Sequence, residues 1–221
     1  MIRHIKYLIG IENDYVNEIN NIINSHENIK IYFEIDNLNR IKVTLLDYDQ
    51  IIYFMSEKEF LKVLNNLIIN KEITLLLTNI NVYHKEISDF IRKNRIEKIS
   101  LEKFSYFYFK KLQLSSHNIK SLKVNLDFIN ESLSNIMKYI NKMQSIEYFY
   151  CEYRGKHLER IIKVLKYNKT IKYLHLSNTD YFKDDIYEEI YKKAYKKLFL
   201  NNNTLITFKS IDGVISNDAH K

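Results

Sequence analysis

Ile146-Glu-Tyr-Phe149-Tyr-Cys151-Glu-Tyr-Arg-Gly-Lys-His-Leu158-Glu-Arg-Ile161-Ile162-Lys-Val-Leu165-Lys-Tyr-Asn-Lys-Thr-Ile171-Lys-Tyr-Leu174-His-Leu176 contains one structural unit and the start of the next. Ile146, Phe149 and Cys151 set apolar side chains in a short run of strand-forming residues. Gly155 interrupts, and Leu158, Ile161, Ile162 and Leu165 then follow at helical spacing. Ile171, Leu174 and Leu176 restart the first pattern. Strand, turn, helix and turn thus occupy 25 residues from Ile146 to Ile171.

The same three anchors recur along the chain, at Ile73/Leu76/Thr78, Ile96/Ile99/Leu101, Ile119/Leu122/Val124 and Leu205/Phe208/Ser210. Successive starts across the whole series lie 23, 23, 27, 25 and 34 residues apart. Weaker copies begin at Ile5, Ile29 and Ile41. The last two are too close for a helix between them, so they predict a hairpin turning through Asn37 to Arg40. Amphipathic helices are predicted around Tyr15–Ile23, after the capping box Ser56/Glu59, and around Ile87, Leu133, Leu158 and Ile186. Residues 103–118 fit no helical pattern and predict a non-helical connection that buries aromatic rings.

A strand–helix unit repeated at near-constant length cannot bury its apolar side alone, and stacking does it. The anchors resemble the LxxLxLxxN core of the leucine-rich repeat family, of the ribonuclease-inhibitor-like kind, over residues 73–213. The resemblance implies an α/β fold: a right-handed β-α solenoid, an arc with a parallel sheet on the inner face and helices outside. It also implies an Asn, Cys or Thr at the ninth position, bonding neighbouring backbones. Asn81 and Thr179 match; Phe104, Asp127, Arg154 and Gly213 do not, so the arc should be irregular. The predicted organisation is a single domain over 1–221, with atypical units in 1–55, the repeat core in 56–213 and a mobile tail in 214–221. Leu205–Ile211 is expected to be the final edge strand.

Composition narrows the functions. With 46% hydrophobic and 28% charged residues in 221, the chain can bury a substantial core. Three scattered glycines (Gly10, Gly155 and Gly213) leave no clustered loop to cradle a phosphate or dinucleotide. The lone Cys151 allows no internal disulfide and no multi-cysteine metal site, and it sits at an anchor, where a small buried residue is expected. No signal peptide or membrane span is legible, so an intracellular, cytoplasmic setting is predicted. No two histidines stand four residues apart as a zinc motif would need; His117 and His157 read as solvated turn residues. The acidic run Asp184–Glu189 reads as the negative end of a helix whose later lysines complement its dipole.

Two surfaces remain. Side chains alternating with the anchors put Tyr148, Tyr150, Tyr173 and His175, with Lys123 and Glu152, on one strand face. Tyrosine is enriched in binding interfaces, although it is also a good strand former in a chain with 18 of them. The second surface is basic. Residues 1–100 carry 13 basic and 14 acidic side chains, residues 101–221 carry 21 and 13. Arg154, Lys156, Arg160, Lys163 and Lys166 form a stripe opposite the apolar face of their helix, suited to phosphate or an acidic partner. Lysine-richness also follows from an AT-rich coding sequence. The expectation is therefore a non-enzymatic interaction module that binds a protein through its strand face, or a protein docked on RNA or a ribonucleoprotein through its basic half. No catalytic residue, cofactor, metal, membrane or small-molecule substrate is predicted.

Overall fold

The computed structural model describes residues 3–8, 14–36, 38–47, 50–80, 82–126, 133–179, 185–210 and 213–216. In chain order the elements are β1 (Arg3–Tyr7), α1 (Tyr15–Ser25), β2 (Lys30–Ile35), β3 (Ile41–Leu46), β4 (Gln50–Met55), α2 (Glu57–Asn66), β5 (Thr74–Thr78) and α3 (His84–Lys93). There follow β6 (Lys98–Glu102), α4 (Tyr106–Lys111), β7 (Ser121–Asn125), α5 (Leu133–Lys142), β8 (Tyr148–Tyr153), α6 (Leu158–Leu165), β9 (Tyr173–Asn178), α7 (Asp185–Asn201), β10 (Thr207–Ser210) and β11 (Gly213–Ser216). Short 3-10 turns occupy Leu114–Ser116 and Gly155–His157.

The fold is mixed α/β. Among the described residues the strands form one open sheet in the order β1-β4-β3-β2-β5-β6-β7-β8-β9-β10-β11. From β2 and β5 onward to β10, neighbours pair parallel, as do β1 and β4. Only β2–β3, β3–β4 and β10–β11 are antiparallel. Parallel strands require a return crossover, and α2 to α7 supply it between β4 and β10. Each helix packs beside its sequence neighbours, α1 on α2 through to α6 on α7.

Local sequence explains the helices. Ser56 starts α2 with both arms of its capping box in place: its side chain accepts from Glu59 N at 3.4 Å, and Glu59 accepts from Ser56 N at 2.7 Å. Asp14 and Ser105 cap α1 and α4 with one arm each, accepting from the amides of Asn17 and Tyr108. The core runs unbroken from Leu8 to Phe208. It takes one row of strand side chains (Ile31, Leu75, Ile99, Leu122, Phe149, Leu174 and Phe208) and the apolar faces of the helices, all buried. Burial of such side chains, about 1.5–3 kcal/mol each, drives the stacking.

The expected hairpin is present: Ile31 faces Leu45 and Ile35 faces Ile41 across β2 and β3. Asp36 closes its turn by accepting from the amides of Leu38 and Arg40, both at 2.9 Å.

Three expectations need correction, and one strand, β4, carried no expectation. β4 is not legible from alternation, because 51–55 is an unbroken apolar run. Residues 103–118 include the helix α4 and a 3-10 turn, although Phe104, Tyr108 and Phe109 are buried as expected. In β5 the anchors slip by one: Leu75 and Leu77 align with Ile99 and Leu101, so Leu76 and Thr78 lie on the opposite face. Three consecutive leucines hide the alternation, and a one-residue slip exchanges the two faces. Finally, β10 is not the edge strand. Gly213–Ser216 pairs antiparallel with it, so the tail expected from residue 214 begins as sheet; Ile211 and residues 217–221 lie outside the described residues.

Candidate functional site

Strand register gathers the strand-face residues. Tyr148 of β8 lies beside Ser121 of β7 and Tyr173 of β9; in the next row Tyr150 lies between Lys123 and His175, and Glu152 lies between Asn125 and Ser177. The rings of Tyr148 and Tyr173 stack with centroids 4.3 Å apart and planes 6° from parallel. Tyr150 and His175 meet edge to face at 4.3 Å. Lys123 Nζ stands 4.7 Å from the Tyr150 ring centroid and 2.8 Å from Glu152 Oε1. The Asn125 side-chain amide donates to the other oxygen of Glu152 at 2.8 Å. All six predicted residues thus form one contiguous patch.

The electrostatics of this patch follow from its packing. Partial burial, with Lys209 and Lys123 nearby, holds the His175 pKa below its usual range against the opposing pull of Glu152. The imidazole is therefore neutral at pH 7. Burial works against charge on Lys123, but its hydrogen bond to Glu152 and that carboxylate's charge outweigh it, so the ammonium stays above its ordinary pKa. Tyr148 remains 48% exposed, the largest apolar exposure in the patch. Desolvation and the neighbouring Tyr173 raise its phenol pKa. The patch offers flat aromatic area, one neutral imidazole and a fixed ion pair.

The basic stripe lies elsewhere. Arg154 follows β8 and is half-buried, Lys156 lies in the 3-10 turn, and Arg160 and Lys163 are exposed on α6. Lys166 caps the end of α6, with its ammonium 4.5 Å from the Tyr167 ring centroid.

Other residues weighed in the sequence fall inside the fold. Cys151 is fully buried. His117 and His157, expected in solvent, are buried as well. His117 Nε2 is 3.0 Å from Ser88 Oγ, and the Ser145 hydroxyl donates to the His117 carbonyl at 3.4 Å, so the His117 side chain reaches α3 and its backbone holds the turn before β8. The carboxylates of the acidic run lie among residues whose side chains are outside the description, though α7 does start at Asp185. Among the described residues no three His, Cys, Asp or Glu side chains are placed to share a metal ion. No helix among them is long and apolar enough to cross a membrane.

Sequence reasoning missed a pair of buried asparagines. Asn168 Oδ1 accepts from the amides of Thr170 (2.9 Å) and Ile171 (2.7 Å), and its NH2 donates to Asn141. Asn202 repeats this at Thr204 (3.0 Å) and Leu205 (3.2 Å), and donates to the Leu165 carbonyl at 2.9 Å. The signal was present as Asn-x-Thr directly before an anchor, at 168–171 and at 202–205.

No protein-family model, curated protein or solved structure matches this chain.

Proposed function

We propose that the chain is a leucine-rich-repeat-like solenoid, non-enzymatic and intracellular, whose strand face binds a protein partner. The observation that carries this reading is the stacked, half-exposed Tyr148–Tyr173 pair beside Tyr150–His175 on one face of the sheet. Interface energy concentrates in rigid aromatic anchors surrounded by polar groups, and Lys123, Glu152 and Asn125 supply such a surround.

Three features support the solenoid. Strands β5 to β10 neighbour one another in sequence order. At the entries to β7, β8, β9 and β10 one carbonyl accepts from two successive amides of the next unit: Glu97 from Lys120 and Ser121, Lys120 from Glu147 and Tyr148, Glu147 from Lys172 and Tyr173, Lys172 from Ile206 and Thr207. At the ninth position Thr179 bonds the Tyr153 carbonyl through its amide (2.8 Å) and its hydroxyl (3.2 Å).

A photo-crosslinking amino acid at Ser177, compared with one at Lys138 on α5, tests the site. Proteins captured from Ser177 should be lost in Tyr148→Ala/Tyr150→Ala/Tyr173→Ala while its circular dichroism is unchanged. A folded triple variant that keeps every partner removes the strand face as the binding surface.

A further inference from the structure

The tertiary structure places side by side three helices whose cations the sequence scatters over some sixty residues. α5 packs on α6 and α6 on α7, and axes of packed helices lie about 8–10 Å apart. Lys138 and Lys142 on α5, Arg160 and Lys163 on α6, and Lys196 and Lys197 on α7 are all exposed. None of these six makes an ion pair among the described residues. Four cations of the strand side contrast with them: Lys98 pairs with Glu72, Lys120 with Glu97, Lys123 with Glu152 and Lys172 with Glu147.

Lysine is spread along the whole chain, but the excess of positive charge on the helices is segregated. Helices α1 to α3 carry five carboxylates and five cations. Helices α5 to α7 carry eight cations and four carboxylates, and three of those four (Asp185, Glu188 and Glu189) lie at the start of α7, away from Lys196 and Lys197. Among the described residues the middle of the face has no exposed aromatic or aliphatic anchor; the exposed Tyr167 and Leu200 lie at the ends of α6 and α7. A protein partner or a membrane surface would draw on such anchors. A regular polyanion needs none.

We propose that the outer face of α5–α7 docks on the phosphate backbone of nucleic acid. Five of the six cations are lysines, which act as point charges and not as bidentate readers of base edges, so binding is independent of sequence. This surface is separate from the strand-face patch, and either can hold without the other.

The test is fluorescence anisotropy with a labelled mixed-sequence single-stranded RNA, titrated with the full chain from about 50 to about 200 mM salt. Each phosphate contact on a single strand contributes about −0.7 to the slope of log affinity against log salt. Lys138→Gln/Lys163→Gln/Lys196→Gln should therefore lower the slope by about 2 and weaken binding by one to two orders of magnitude near ~0.1 M salt. Lys58→Gln/Lys62→Gln/Lys85→Gln, which removes the same charge from α2 and α3, should stay close to wild type. So should Tyr148→Ala/Tyr173→Ala, which separates this face from the strand face. Equal weakening by the two lysine triples reduces the binding to net charge and overturns the proposal. Absence of salt-dependent RNA binding overturns it too, as does binding only to anionic vesicles or to polyglutamate.

Discussion

Strands β2, β3 and β4 follow one another with only a few residues between them and pair antiparallel, whereas β5 to β10 pair parallel and each waits for a helix to bring the chain back. The polar groups of the two regions are satisfied differently. In the β2–β3 turn, Asp36 accepts from Leu38 N, Arg40 N and the Arg40 side chain, all within five residues. In the second region the partners lie one unit away: Asn168 donates to Asn141, Asn202 to Leu165, and the Thr204 hydroxyl to the Asn168 carbonyl at 3.1 Å. A local turn holds its own geometry, while a stacked unit borrows its geometry from the neighbour. Damage should therefore stay local in the first region and propagate in the second.

The sharpest test is at the last helix-returned strand. Phe208 is buried, with rings of Tyr195 and Phe199 centred 4.9 and 5.4 Å away. Phe208→Ala should cost about 3–5 kcal/mol as a core aromatic truncation, with a reduced denaturant m-value as β9 and α7 loosen together. An unchanged m-value would mean that the units melt as one block. Next in size, Asn168→Ala leaves the Thr170 and Ile171 amides without their acceptor inside the fold. A loss of about 1–3 kcal/mol is expected in urea melts, with amide exchange accelerated in the unit after Thr170 as well as in its own. Exchange confined to residues 168–171 would break the comparison. Asp36→Ala removes a turn clasp that is partly open to water, so about 1 kcal/mol is expected, with exchange protection beyond β2 and β3 untouched.

The smallest effect depends on pH. Burial, reinforced by Arg92 and opposed by Asp89 and by a hydrogen bond to the Leu112 carbonyl, holds the His117 pKa below its usual value. Below about pH 6.5 the unfolded chain then binds the proton more readily than the folded one, so stability falls as pH drops from 7.5 to about 5.5. His117→Gln should flatten that slope in thermal melts, leaving a residue from His175, which is shifted in the same direction. An unaltered slope would show that His117 is not one of its sources.

Much of the fold is legible because its driving residues repeat. Ile96, Ile99 and Leu101 stand at the same spacing as Ile171, Leu174 and Leu176, and alternation then assigns the other strand face, with Tyr148, Tyr150 and His175 on it. Where alternation is lost, so is the assignment. Leu75-Leu76-Leu77 shows its face only through its pairing with Ile99 and Leu101, and the apolar run of β4 gives no period at all. Phe104, Tyr108 and Phe109 are readable as buried, but the helix that holds the last two is not, since a single turn and a half is too short to display a 3.6-residue period.

By itself, then, the sequence determined the strand–helix unit, the hairpin at 29–46, the polar and aromatic composition of one sheet face and the excess of charge after residue 100. Each is a matter of spacing along the chain, and spacing is what a sequence displays. Tertiary structure alone decided which strands are neighbours, that Tyr148 stacks on Tyr173, that β11 covers the edge of β10, and that His117, Asn168 and Asn202 are buried between units. It also brought Lys138, Lys163 and Lys196 onto adjacent helices. Apart from the β10–β11 pairing, these are relations across separations of some twenty residues or more, fixed by packing and register, and no local period encodes them.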